Sequence, residues 1–526
     1  MVVLIKYFKL GYSYVYVKDF QIYVFFQFVK YCIMQLRYLI MKNDKSILCC
    51  LLVSAFALTL ASCQGNKKKD DDDVKIPEVS KEIETIEGVG FDYSKAFFDD
   101  FSEGVKYDNW ILSEDCWGSN KGGLTAKNVF YTDEGTLLFR STGNYYSGDE
   151  IKGYGQVKDG RCMGASLVSK FITGPGRYQI RMKPFPRLGA CTAFWTYTNR
   201  PVPNAENDNH EIDIELPGGM HHGVHSFKYL MNTNYVTETY MSNSDFDVGA
   251  VTNNKVINLN DGEFHTFGFD WYTNPEVVVY YVDGVVTTAC PLFVPYLQTR
   301  IWLAVWVSYN DAFMGPPNYE MDYMEVDWVK YIPFDSTQPY TVWDVDPVSK
   351  SAPKEAYPTI PSSRPKVNKI ANGDFEYIIR KGIQNDYGWT YEKFLYETSP
   401  LDEVCYASTN QGKDGTAGGV VKKGGYLHTP VDAAYEGYKY DISFDGKSDG
   451  TDSIMEVVYY NSYIPSAATV ISSETLKVNQ GDWQKYTKTV TCPKDCQSMT
   501  VEFYNNKKNT ETSFYIDNVS MARSAQ

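Results

Sequence analysis

The sequence predicts an all-β protein made of two sandwich domains, a large one followed by a smaller one. Three observations carry that expectation. Apolar and polar residues alternate with period two in residues 178–183 and again in 264–271, as half-buried strands require. The run from Val277 to Val282 leads into Asp283 and Gly284, the strongest short hairpin signal, and apolar residues resume at Val285. Long helical periodicity is absent, and aromatic residues make up 15% of the chain, a load that suits pleated sheets and surfaces that stack on sugars.

Five segments succeed one another along the chain. Residues 1–63 read as a leader. Residues 1–40 are aromatic but interrupted by Lys6, Lys9, Lys18, Asp19, Lys30 and Arg37, so a spanning helix is not expected there. A cleaner start lies at Met41: Lys42 and Lys45 supply a basic region and residues 47–60 an apolar one, before Leu60, Ala61, Ser62 and Cys63. This order resembles a bacterial lipobox and implies export, cleavage before Cys63 and lipidation of Cys63, with display at the outer membrane or cell surface; translation is expected to begin at Met41. Residues 64–90 are a polar tether that includes three Lys and four Asp in a row. Residues 91–334 read as strands throughout. Seven prolines from Pro333 to Pro365 forbid a central strand and predict an extended, stiff spacer over 335–367. Strands return over 368–526.

The formal net charge of −15 argues against a nucleic-acid partner. Seven cysteines lie beyond the leader, so at least one thiol is left over; Cys492 and Cys496 could pair locally or sit unpaired in a turn.

The chemistry concentrates in one strand. His210-Glu-Ile-Asp-Ile-Glu-Leu216 alternates strictly, so Glu211, Asp213 and Glu215 share one face and Ile212, Ile214 and Leu216 the other. Three carboxylates in a row repel and shift one another's pKa values. Such a row supplies what glycoside hydrolysis needs, an ionised nucleophile beside a carboxyl that keeps its proton.

Glu-Ile-Asp-Ile-Glu resembles the catalytic signature of family-16 glycoside hydrolases. The likeness extends over most of residues 98–331: Phe98-Asp-Asp-Phe101 with Trp110, Asn120-Lys-Gly-Gly, Asn128-Val129, Gly174-Pro-Gly-Arg-Tyr178, Ala193-Phe-Trp-Thr-Tyr197, Trp271 and Val326-Asp-Trp-Val-Lys-Tyr331 fall in the family's order. The resemblance implies a concanavalin-like β-jelly-roll and a retaining mechanism, with Glu211 as nucleophile, Asp213 as electrostatic helper and Glu215 as general acid/base. No residue is inserted before Glu215, which resembles the unbulged licheninases and xyloglucan-active relatives. Two departures leave the sugar open. Cys162 is followed by Met-Gly-Ala-Ser where licheninases carry Glu and Arg, and Ala304 stands where they carry Asn.

Asn120, Trp195, Tyr197 and Trp306 are the expected substrate-binding residues, with core packing as the alternative for each of the three aromatics. The resemblance implies no cofactor for catalysis and a structural calcium held by Asp327 and the Gly135 carbonyl. His210, His221, His222 and His225 are expected at a cleft rim or hairpin rather than at a metal. The ends of the second domain, Asn372-Gly-Asp-Phe-Glu376 and Phe514-Tyr-Ile-Asp-Asn-Val-Ser520, resemble jelly-roll carbohydrate-binding modules. That likeness nominates Asp374, Glu376 and Asp517 for a calcium and Trp389, Tyr391, Tyr459 and Tyr463 for a sugar platform, against the alternative of a plain spacer.

The reading is therefore a monomeric, lipid-anchored endo-β-glycanase acting on a polysaccharide, with β-1,3-1,4- or β-1,3-glucan foremost. A catalytically dead glycan-binding lipoprotein, and the same chemistry on β-galactans or host glycans, remain as alternatives.

Overall fold

The computed structural model describes residues 83–115, 122–151, 162–201, 208–218, 228–235, 240–247, 259, 262–307, 314–345, 348, 350–358, 365, 367–376, 385–386, 388–462, 468–505 and 512–524, with no side-chain description for 208, 228–247 or 385–386. These fall in one compact unit, Lys75–Gln526. The leader with Cys63, and Asn120, His221, His222, His225 and Tyr463, lie outside the described residues.

Two antiparallel sheets pack face to face in the first sandwich. One runs in the order Val285–Cys290, Glu276–Val282, His265–Thr273, Gly176–Lys183, Met321–Pro333, Leu137–Thr142, Val129–Tyr131, with Phe97–Asp99 also on Met321–Pro333. The other runs Tyr240–Asp247, Lys228–Tyr235, Asp208–Pro217, Cys191–Arg200, Arg300–Trp306, Ala165–Ser169, Trp110–Leu112. Inward residues of both sheets form one core, with Tyr178, Ile180 and Met182 facing Phe194, Ile212 and Ile214. The hairpin expected at Asp283 and Gly284 is present, both residues at positive φ (47° and 70°), as its tight turn demands.

A second sandwich completes the described chain. One sheet runs Asn385–Asp386, Trp389–Lys393, Gly425–His428, Ser498–Asn505, Ser453–Tyr460, Val470–Val478, with Asp432–Ala433 also on Ser498–Asn505. Its partner runs Cys405–Ser408, Gly418–Val421, Phe514–Arg523, Lys439–Ser448, Gly481–Thr491. Cys492 and Cys496 are buried free thiols.

The segment after Pro333 corrects the expected spacer. Its described residues, which include a short 3-10 turn at Lys354–Ala356, are seated on the first sandwich. Ala352 and Tyr357 belong to that sandwich's core. The Tyr357 hydroxyl accepts from the Leu112 amide at 2.9 Å and donates to the Trp110 carbonyl at 2.8 Å. Gln338, 3% exposed, accepts from the amides of Thr273 and Asn274, both at 2.9 Å. The Val345 carbonyl accepts from Arg300 at 3.1 Å.

The two sandwiches are clasped together as well. Leu188, from the loop joining two strands of the first domain, lies in the core of the second. Beside it Arg187 donates to the Lys369 carbonyl at 2.8 Å and to Asp432 at 2.9 Å, and the Lys369 ammonium reaches the same Asp432 oxygen at 3.2 Å. Burial alone would raise the Asp432 pKa, but the two cations outweigh it and hold the carboxyl below the usual range.

Candidate active site

Asp208–Pro217 is the strand on which the site is built. Ile212, Ile214 and Leu216 are buried in the core, so strand parity sends Glu211, Asp213 and Glu215 to the opposite, outer face of their sheet. Cross-strand register sets their neighbours. Glu211 stands beside Tyr197, which stands beside Arg300; Asp213 beside Trp195, beside Trp302; Glu215 beside Ala193, beside Ala304. Rows of carboxylate, aromatic and small residues thus line one shallow face, backed by a cluster of Leu124, Cys191, Ala193, Trp195, Ala304, Trp306 and Met314.

The three carboxyls are not equivalent. Glu211 and Glu215 are half-buried, whereas Asp213 is buried at 4% exposure. Burial raises the Glu211 pKa, and hydrogen bonds from Asn209 (Nδ2 to Oε2, 3.3 Å) and from the Asp213 carboxyl pull it back. Glu215 has no such relief: burial first, and then the Glu211 charge, push its pKa up to about 8. The environment therefore ionises Glu211 more readily and keeps the proton on Glu215, the division a nucleophile and a general acid require. A hydrogen bond between the Glu211 and Asp213 carboxyls needs one shared proton.

Among the aromatic candidates, Trp195 and Trp306 are each only 7% exposed, while Tyr197 is more open. Trp302 was missed. It shares the outer face with Trp195, stacks on it with centroids 5.5 Å apart, and meets Tyr197 edge-on at 6.3 Å. The parity of Ile301, Leu303 and Val305, all in the core, carries the signal that would have found it.

Other expectations are corrected. His210 is not at a rim; it is fully buried on the core side, its ring edge-on to Tyr296 at 4.5 Å. Trp389, Tyr391 and Tyr459 are core residues of the second sandwich and form no platform. The Asp327 carboxylate pairs with the Arg181 guanidinium. In the second domain Asp517 accepts from the Lys413 amide at 2.8 Å and Thr416 at 3.0 Å, Glu376 accepts from the Ala417 amide at 2.7 Å, and Asp374 accepts weakly from the Glu376 amide at 3.4 Å. Asp517 and Glu376 thereby fasten the loop over residues 413–417. Among the described residues no group of three or more His, Cys, Asp or Glu side chains is placed to hold a metal.

The end of the carboxylate-bearing strand is tied to the clasp. Gly218 comes directly after it, where a Cβ would lie 2.6 Å from the Arg187 carbonyl oxygen and 3.0 Å from the Leu188 Cα. Only glycine permits that approach.

Comparison with known proteins agrees with this geometry. Residues 125–329 match the model of glycosyl hydrolases family 16. A β-glucanase of Paenibacillus macerans is 30% identical over 241 residues, covering 44% of this chain and 87% of that protein. The chain belongs to glycosyl hydrolases family 16. A second β-glucanase, from Paenibacillus polymyxa, is 32% identical over 163 residues, 30% of this chain and 59% of its own. The solved structure of Bacillus licheniformis β-glucanase aligns over 45% of this chain and 97% of its own, at 20% identity and a TM-score of 0.35. The family-16 match covers the carboxylate row and most strands of the first sandwich, and the chain is a glycoside hydrolase. The second sandwich lies beyond the matched residues.

Proposed function

We propose that this family-16 enzyme cleaves a β-1,3-1,4- or β-1,3-linked glucan internally, with retention, through a glycosyl-enzyme intermediate on Glu211. The observation that carries the reading is the unequal environment of two carboxyls on one strand face, Glu211 relieved by Asn209 and Asp213 and Glu215 left protonated. Glu215 gives its proton to the departing glycosidic oxygen while Glu211 attacks the anomeric carbon. Water, deprotonated by Glu215, then releases the sugar, and Glu215 ends protonated again. Trp302 and Tyr197 supply stacking faces beside the reacting pair. The relatives named β-glucanase support glucan over galactan. Cys63 is read as the lipid anchor that displays the enzyme at the cell surface. Proton NMR of the first product from mixed-linkage glucan should show the β-anomer; an initial α-anomer would overturn the double displacement. A polysaccharide panel releasing oligosaccharides only from β-galactan would overturn the glucan assignment.

A further inference from the structure

The strand that carries Glu215 ends in a joint made of three segments. Gly218 follows that strand, and its amide donates to the Ala190 carbonyl at 3.0 Å. The Gly189 amide donates to the Met314 carbonyl at 2.6 Å. Gly189 lies at φ 96°, and a Cβ on it would stand 2.3 Å from the Pro317 Cα, so residues 187–190 and 314–317 meet backbone to backbone. The Leu188 Cα and the Met314 carbonyl oxygen close on Gly218 as well, each 3.0 Å from where its Cβ would be. Backbone packed this closely has little room to absorb a displacement and passes it on.

The joint touches the site on one side and the second sandwich on the other. Cys191, three residues after Leu188, is fully buried on the outer face, diagonal to Glu215 in the register that sets Ala193 beside Glu215. The Met314 side chain packs with Cys191, Ala193 and Trp195 in the cluster that backs the carboxylate face. In the opposite direction Leu188 sits in the core of the second sandwich, and Arg187 is held by Asp432 and the Lys369 carbonyl. From Leu188 to Cys191 the chain spans at most about 10 Å. A seat in one domain therefore lies one short step from the carboxyl that keeps its proton in the other.

We infer that Arg187 and Leu188 are positioning residues for Glu215: the second sandwich grips the loop over residues 187–190 and thereby fixes how deeply Glu215 is set, so hydrolysis depends on both domains. Burial is the first cause of the high Glu215 pKa, and slack in the joint would admit water and lower it. Among the described residues the titratable groups facing Glu215 are Glu211 and Asp213 on its own strand and Cys191 on the next. Its register neighbours Ala193 and Leu230 carry no charge. Burial, and then the Glu215 charge, keep the Cys191 thiol neutral. Within this set, hydration and the two neighbouring carboxyls tune Glu215. The inference rests on the reading of Glu215 as general acid.

The test uses the full protein and a soluble mixed-linkage β-glucan oligosaccharide, with kcat and KM measured across pH. Leu188→Ala should lower kcat by about tenfold or more, the scale of a small misplacement at a reacting centre, with KM nearly unchanged. It should also move the alkaline limb of kcat/KM down by about one pH unit, because a better hydrated Glu215 loses its proton sooner. Leu188→Val removes less packing and should shift both in the same direction by less; it reads the effect if the alanine variant does not fold. Leu188→Met keeps the volume and should restore both. Val478→Ala controls for general loosening. Val478 lies in the same core, but its register partner Ser453 stands beside Asn505, about 20 Å along the sheet from Met499, the partner of Asp432. Val478→Ala should lower Tm and leave the limb in place. An unmoved limb in the folded Leu188→Val or Leu188→Ala protein would overturn the proposal, as would an equal shift in Val478→Ala. A limb absent from the wild type, or persisting in the residual activity of Glu215→Gln, fails the reading of Glu215 itself. A wild-type limb that Glu215→Gln abolishes and the Leu188 variants leave alone fails the joint only.

Discussion

Arg187 of the catalytic sandwich donates to Asp432 of the C-terminal sandwich across 2.9 Å, with both side chains largely removed from water. Lys369 shares the same carboxylate oxygen, so one anion serves two buried cations. Cutting the anion away leaves both cations in low dielectric, which costs far more than the pair contributes to stability.

Asp432→Ala should therefore destabilise the protein by about 3–5 kcal/mol, read as a fall in the urea midpoint. The Asp432 pKa is depressed on folding, so its contribution is present above the ordinary carboxylate range and disappears as pH falls through the folded value. The gap between wild type and variant should close in acid. A constant gap down to the lowest pH at which the fold survives would count against the ionic account.

Substitutions at Glu211 and Glu215 should separate by leaving group. Glu211→Gln should fold and lose hydrolysis of every substrate, since an amide cannot form the covalent intermediate. Glu215→Ala should retain more activity on an aryl glycoside with a good leaving group, and azide should accelerate its second step. Steady-state rates on activated and natural substrates check this; equal losses on both would remove Glu215 from the role of acid.

The pH dependence comes from the raised pKa of Glu215. Its proton is needed for the first step, so kcat/KM on natural glucan should decline as pH rises through about 8. The same shift works against stability. A carboxyl whose folded pKa exceeds its unfolded one contributes fully only below the ordinary glutamate range, and that contribution is lost as pH rises towards about 8. Glu215→Gln should match wild type near pH 4 and exceed it in Tm at pH 8; a lower Tm at pH 8 would contradict the burial argument.

Truncation after Phe334 should fail to give a stable enzyme. It removes Ala352 and Tyr357 from the core, Gln338 from two amides, and the Val345 carbonyl from Arg300, which stands in register with Tyr197 and Glu211. Truncation after Pro358 keeps these and should be markedly more soluble and active. Thermal melts and specific activity of the two fragments decide it; equal behaviour would restore the picture of a free spacer.

Trp302→Ala should raise KM on glucan more than it lowers kcat, because the ring offers a binding face and not a reacting group. It also stacks on Trp195, so a modest loss of Tm is expected alongside. A loss confined to kcat would place Trp302 in positioning the carboxylates.

The carboxylate row, its parity and the hairpin at Asp283 were legible because a period-two pattern with one apolar face has one way to sit on a core. The same rule does not resolve residues 457–460, Val-Val-Tyr-Tyr, where both faces are apolar or aromatic and local pattern cannot say which Tyr is inward. Tyr459 went to the core and Tyr460 to the outer face. Among the described residues of 335–367 only isolated bridges form, Thr341 to Leu297 and Ser351 to Ser113, and proline density alone does not reveal whether such a segment floats or lies in a groove. The clasp through Arg187, Leu188 and Asp432 joins residues far apart in the chain and left no local signature.

Seating the connecting segment in the catalytic core has an evolutionary consequence. A domain joined by a loose tether can be exchanged between genes as a cassette, since its neighbour is indifferent to the identity of the domain attached to it. Here a recombination point anywhere in residues 335–357 would strip buried side chains from the enzyme, and a foreign partner would arrive without Asp432 to meet Arg187 or a core to receive Leu188. The two sandwiches are thus constrained to be inherited as a pair, and the loop at Arg187 and the strand at Asp432 should change together across descendants or not at all.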